Sequence, residues 1–249
     1  MIEIHSLEGI GEISPGDDLA AILAEALAPL GPRAGDVLAV TQKIVSKAEN
    51  RFFRLSDVTP GARARELSEQ TGKDARLVEL VLQESTDVLR AARGVLITRH
   101  RLGLVMANAG IDRSNIGDGH EDQVLLLPEN PDASAAALAS QLAVRFGASP
   151  AILITDSFGR PWRQGVVNVG IGAWGLPSLD DRRGETDRQG RKLEVTQVAY
   201  ADLVASAAGL AMGEAAEGVP AALVRGLKLN AAPNPATALV RSLDEDLFR

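Results

Sequence analysis

The sequence contains no cysteine. Disulfides, thiolate zinc sites, cysteine-ligated iron–sulfur clusters and a cysteine nucleophile are excluded together. Histidine is almost as scarce: His5, His100 and His120 are the only three, too few for a multi-histidine metal centre. A bound metal would therefore take oxygen ligands, which favours Mg²⁺ or Mn²⁺. Aromatic residues make up 3% of the chain and the formal net charge is -7. Both the stacking rings and the basic footprint of a nucleic-acid binder are thus missing. No run approaches the ~20 apolar residues of a membrane span. The opening MIEIHSLEGIGEI has no basic region followed by an apolar block, so a cytoplasmic chain without a leader is expected.

What remains is ordinary globular material, 249 residues with 45% hydrophobic and 24% charged. That length supports one large domain or two small ones, burying roughly three quarters of the unfolded surface. Ile2 and Ile4 alternate with polar residues as an opening strand. Asp17 or Asp18 then caps a helix whose face is Leu19, Ile22, Leu23, Ala26, Leu27 and Leu30, ended by Gly31-Pro32. Val37 to Thr41 reads as a buried strand. Helices are predicted over Ala62 to Thr71 and Asp74 to Arg93, a hairpin over Val95 to Met106, and a strand over Val124 to Leu127. A helix from Asp132 to Phe146 stops at Gly147. Leu193 to Val198 is predicted as a strand, Ala199 to Met212 as a helix, Ala221 to Val224 as a strand, and the tail after Pro233 as a peripheral helix.

The stretch Ala151 to Gly165, AILITDSFGRPWRQG, carries the strongest chemical signal. Its β-branched apolar run predicts a buried strand that stops at Asp156, between the hydroxyls of Thr155 and Ser157. Arg160 and Arg163 follow in a glycine-punctuated loop. A carboxylate on a rigid strand end is a hard oxygen ligand, and the arginines suit phosphate or carboxylate oxygens. The alternative is an aspartate that caps a turn, with solvated arginines.

Two further segments place acids beside glycine. NAGIDRSNIGDG sets Asp112 and Asn115 among Gly110, Gly117 and Gly119, and MGEAAEGVP sets Glu214 and Glu217 between Gly213 and Gly218. The first could equally be an Asx-turn cluster. Lys43, Lys47 and Arg51 follow the Val37 to Thr41 strand and suit a triphosphate, although a solvated helix face with Ile44 turned inward is the commoner meaning of such a pattern. Arg182 to Lys192 is a charged loop, either a solvated excursion or a clamp for an anion. No GxxxxGK[ST] or GxSxG motif occurs. Gly170, Gly172 and Gly175 match the dinucleotide spacing, but Pro177 follows with no helical period, so they are expected to permit close packing or a bulge in a strand.

Taken in order, EGIGEISPGDDL, GDVLAVTQKIVSKAENR, NAGIDRSNIG, ITDSFGRPWRQG, GRKLEVTQVAYAD and MGEAAEGVPAALVRGL resemble the coenzyme F-420 gamma-glutamyl ligase family, also called CofE, over essentially the whole chain. The resemblance implies a GTP-dependent enzyme that joins L-glutamate through gamma-linked amides to a coenzyme F-420 precursor lacking it, by way of an acyl phosphate. It implies catalytic roles for Asp112, Asp156 and Glu214. Asp112 and Asp156 would hold one divalent ion, Mg²⁺ or Mn²⁺, and Ser157 with Glu214 a second, with K⁺ a candidate further ion. Ile10, Gly11, Glu12, Ile13, Gln42, Lys43, Lys47 and Asn115 would line the GTP site. Met212, Gly213, Glu214, Ala215, Ala216, Glu217, Gly218 and Val219 would complete it. The implied fold is an unusual α+β arrangement of mixed sheets with flanking helices, over residues 1–249 as one module of two intertwined subdomains, in an intertwined homodimer. The module resembles the N-terminal part of the actinobacterial two-domain ligase, and no C-terminal nitroreductase-like domain is expected. A metal-dependent phosphohydrolase and a non-catalytic nucleotide- or deazaflavin-binding module are the alternatives.

Overall fold

The computed structural model describes residues 1–117 and 122–247; Gly119 and His120 lie outside them. The chain opens with strand β1 (Glu3–Ser6), helix α1 (Leu19–Leu27), β2 (Val37–Thr41) and, without a break, α2 (Gln42–Ala48). A second group follows: β3 (Phe52–Arg54), α3 (Ala62–Thr71), α4 (Ala75–Gln83), β4 (Ser85–Ala92), β5 (Val95–His100), β6 (Val105–Ala107) and β7 (Gln123–Leu125). The chain then returns through α5 (Pro131–Phe146), β8 (Ala151–Arg160), β9 (Arg163–Trp174), β10 (Leu179–Asp181), β11 (Gln197–Ala199), α6 (Tyr200–Met212) and β12 (Ala221–Arg225). Among the described residues no helix is long and apolar enough to cross a membrane.

A five-stranded mixed sheet, ordered β1-β12-β2-β8-β9, forms the centre. Only β2 and β8 are parallel neighbours; the other pairs are antiparallel. Its central strands read as unbroken apolar runs because both faces are covered. Leu38, Val40, Ile152 and Ile154 pack against α1, α2 and α5, while Val37, Ala39 and Leu153 pack on the alanine-rich face of α6. Residues 52–127 contribute a separate core, in which Leu67, Leu77, Val78 and Val81 close over Leu96, Val124 and Leu126. The helix boundaries have local causes: the Asp18 carboxylate accepts from Ala21 N at 2.8 Å, and Asn130 caps α5 ahead of Pro131.

Four expectations need correction. The helix predicted to reach Arg93 ends at Gln83, and residues from Ser85 form β4 against β5. Val88 and Leu89 fit a helical face locally, but the pairing partner lies across a turn and outweighs propensity. The strand expected to stop at Asp156 runs on to Arg160 and returns as β9 after a turn at Pro161-Trp162, so the supposed basic loop is a hairpin. The strand expected over Leu193 to Val198 shrinks to Gln197–Ala199, and the tail carries 3-10 turns at Ala236–Leu239 and Leu243–Glu245 instead of an α-helix. The glycines of β9 behave as expected. A side chain at Gly172 would lie 2.4 Å from the Pro131 backbone, and the register shifts between Ile154 and Thr155.

Candidate active site

The parallel pairing of β2 with β8 ends at Thr41 and Thr155. There β2 turns into α2, whereas β8 continues beside β9 alone, and a notch opens at the carboxyl ends of the two parallel strands. Ligands of α/β sheets bind in such places. The far wall is the segment before β12, tied down by Thr41 N to Pro220 O and Leu7 N to Ala221 O, both 2.9 Å. The notch widens into a cleft of about 990 Å³. Ile10 to Ile13, Gln42, Lys43, Lys47, Asp112, Asn115, Asp156, Ser157 and Met212 to Val219 all line it, so the fold brings together the residues that the resemblance implies, while Arg51 lies outside it, paired with Glu84 and Glu129.

Asp112 is fixed by a reciprocal backbone pair with Leu125, 2.9 Å in each direction. Its Oδ2 accepts from Gln42 Nε2 at 2.8 Å and lies 3.3 Å from Lys43 Nζ, which also donates to Ser114 O at 3.0 Å. Asp156 is the first residue of β8 beyond the β2 pairing. Burial, and then the neighbouring Asp112 carboxylate, push its pKa up to about 7, against the opposing pull of the Ser157 amide, Lys43 and Gln42. Two carboxylates crowded in a poorly solvated corner form an acidic, all-oxygen donor set that suits a hard dication.

On the other face of β8, Ser157 Oγ donates to Glu214 Oε2 at 2.6 Å, and Asn168 Nδ2 donates to Glu214 Oε1. Among the described residues no three acidic or histidine side chains converge on one point. The oxygens fall into two groups, Asp112 with Asp156 and Ser157 with Glu214, separated by the pleat of one strand.

Lys47 corrects the solvated-face reading of α2. Its side chain is only 5% exposed and its ammonium pairs with Glu12, which is 63% exposed on the loop after β1. Asn115 Nδ2 donates to Ala215 O at 3.3 Å across the cleft. The carboxylate of Glu217 folds back onto its own loop. It accepts from Ala215 N at 2.8 Å, and successive backbone N–H groups hold it below the usual carboxylate range. The anion that the loop's amides hold is its own Glu217.

The arginines behave differently. Arg160 and Arg163 face each other at the hairpin tip, Arg182 pairs with Glu185 and Arg183 with Asp181, and none of the four lines the cleft. Sequence reading passed over Asn168. Asn168 is the one polar residue in the strand segment VVNVG, and it forces Gly209 on α6, where a Cβ would fall 2.4 Å from its amide nitrogen. Ser46, which the sequence offers with Gln42 as a neutral donor beside the lysines, is one helical turn after Gln42 and fully buried.

The chain is similar to known proteins along nearly its whole length. The model of the F420-0:gamma-glutamyl ligase family matches residues 9–226. A coenzyme F420:L-glutamate ligase from Methanopyrus kandleri is 47% identical over 96% of this chain and 94% of its own length. Relatives of the same name from Methanothermobacter thermautotrophicus and Archaeoglobus fulgidus are 40% and 39% identical over 100% of this chain, and over 99% and 96% of their own lengths. The chain belongs to the coenzyme F-420 gamma-glutamyl ligase family.

Proposed function

We propose that this protein joins L-glutamate, through its amine, to the terminal carboxylate of a coenzyme F-420 precursor lacking glutamate, with GTP as co-substrate. The observation that carries this reading is the gathering of the Asp112–Asp156 pair, Lys43 and Lys47 in one cleft of a chain from this family. A carboxylate and an amine do not condense unaided in water. Transfer of the γ-phosphoryl group of GTP to the carboxylate gives an acyl phosphate and GDP; attack by the glutamate amine then forms the amide and releases phosphate.

Asp112 with Asp156, and Ser157 with Glu214, would hold divalent cations, which supply charge neutralisation for the triphosphate. Lys43 reaches the same space as Asp112 and offsets phosphate charge from the opposite side. Lys47, drawn from Glu12, adds a second positive charge on the same helix face. The backbone N–H groups of the Met212 to Val219 loop, which hold the Glu217 carboxylate, would receive an anion only if it displaced that side chain. No protein nucleophile is required, which fits a chain without cysteine.

The test is incubation with GTP, Mg²⁺, L-glutamate and glutamate-free coenzyme, followed by mass spectrometry. Stepwise addition of glutamyl units is expected. Phosphate release that ignores glutamate and coenzyme would instead identify a phosphohydrolase, and binding without turnover a non-catalytic module.

A further inference from the structure

No aromatic side chain lines the 990 Å³ cleft among the described residues. The acceptor's deazaflavin is a flat, fused aromatic system, and such rings are held by aromatic faces and by amides that match their polar edge. We propose that the ring docks in a neighbouring cavity of about 690 Å³ walled by Phe52 and Phe53. The proposal rests on the ligase reading above.

Three observations carry it. The chain has only five phenylalanines, two tryptophans and one tyrosine, yet two consecutive phenylalanines open onto this cavity, and Phe53 is 39% exposed. Asn50, Gln83 and Gln123 join them, each carrying both a donor and an acceptor, as the dione edge of a deazaflavin requires. Arg54, exposed on the rim, suits the phosphodiester that follows the ring in the coenzyme.

The third observation is distance. Phe52 pairs with Leu125, and Leu125 pairs with Asp112 on its other side. The three residues form one row, with Phe52 and Asp112 two strand spacings apart, about 10 Å. Residues directly opposite in antiparallel ladders project to the same face, so Phe52, Leu125 and Asp112 share a side, while Phe53, next along the strand, projects to the other and meets the cavity from there. Leu125 in the middle of the row is buried, so from a ring at Phe52 and Phe53 the coenzyme's side chain would pass around the row, not over it, to present its carboxylate at Asp112. One competing aromatic is Phe158, two residues beyond Asp156. It is half-buried against the main core, and the cavity beside it is smaller, about 320 Å³.

The probe is the glutamate-free coenzyme itself, whose ring reports binding by fluorescence anisotropy in the absence of GTP. Phe53→Ala is expected to raise the acceptor's KM and Kd about tenfold, as loss of one aromatic stacking partner does elsewhere. The KM values for GTP and glutamate and the kcat should stay within about twofold. Phe53→Tyr, which keeps the ring face, should retain wild-type affinity. Circular dichroism controls for folding. Wild-type ligation with an unchanged acceptor KM in Phe53→Ala, or a rise in Phe158→Ala alone, overturns the site and leaves the ligase reading standing. If wild type binds the coenzyme without turnover, the ligase reading fails, and anisotropy still decides the docking site.

Discussion

Ser46 Oγ donates at 2.9 Å to Gln42 Oε1, and this turns the Gln42 amide nitrogen toward Asp112 Oδ2, 2.8 Å away. Without the hydroxyl the amide is free to rotate and present its oxygen to the carboxylates. Ser46→Ala is expected to lower kcat/KM about fivefold to tenfold, about 1 kcal/mol, the worth of one hydrogen bond. In a Gln42→Ala background the same change should have almost no effect, because the pair acts as a unit. Additive losses in the double-mutant cycle would contradict this relay.

The Asp112–Asp156 pair sets a pH dependence. The folded protein holds a proton on Asp156 up to about pH 7, whereas an unperturbed aspartate loses it near 3.8. Between these values the native state binds more protons than the unfolded chain, so this group's contribution to stability falls as pH rises from about 4 to 7. The effect should be at most about 4 kcal/mol, roughly three pH units at about 1.4 kcal/mol each. Without divalent ions, Asp156→Asn should therefore melt higher than wild type at pH 8 and close to it at pH 4. Mn²⁺ should stabilise wild type more than the variant, which keeps only the Ser157–Glu214 pair, and ligation should be abolished in both Asp156→Asn and Asp112→Asn. An equal Mn²⁺ shift in wild type and variant would remove the metal from Asp156.

The route through an acyl phosphate has an isotopic signature. Coenzyme labelled with ¹⁸O in its terminal carboxylate should yield phosphate carrying one labelled oxygen per amide formed. Hydroxylamine should trap the activated acid as a hydroxamate. Unlabelled phosphate would rule out activation of that carboxylate, and a phosphorylated protein formed from GTP alone would point to Ser157 or Asp156 as nucleophile.

Leu203 and Leu210 lie two turns apart on α6 and are 61% and 87% exposed, opposite the alanines that pack on the sheet. We expect a second copy of the chain to cover them. Light scattering at micromolar concentration should give about twice the chain mass, and Leu203→Glu with Leu210→Glu should shift it toward the monomer. A wild-type monomer with full activity would refute the dimer.

The central strands and their flanking helices were legible because each carries an apolar run or a one-sided helical face bounded by local signals, as Asp18 and Gly147 show. Where the outcome depended on a distant partner, local pattern misled. Ser85 to Ala92 pairs with β5, and Asp156 to Arg160 with β9, and neither pairing leaves a mark within the segment. The cleft residues were found through family resemblance and their glycine-flanked acids. That Asp112 and Asp156 meet is a property of the β7 bridge and the notch beside β2, which no local stretch contains. Asn168 escaped because its role exists only opposite Ser157.

The run of β8 past the end of β2 places Asp156 and Ser157, adjacent in the chain, on opposite faces of a single extended strand. Alternation along a strand has a period of two, so the separation of the two oxygen groups is as stiff as the backbone itself. Neither group can drift toward the other. A one-residue deletion anywhere between Ile152 and Thr155 would invert the strand downstream, turning the hydroxyl toward Asp112 and the carboxylate toward Glu214. The order of these two residues works as a ruler and a polarity mark at once.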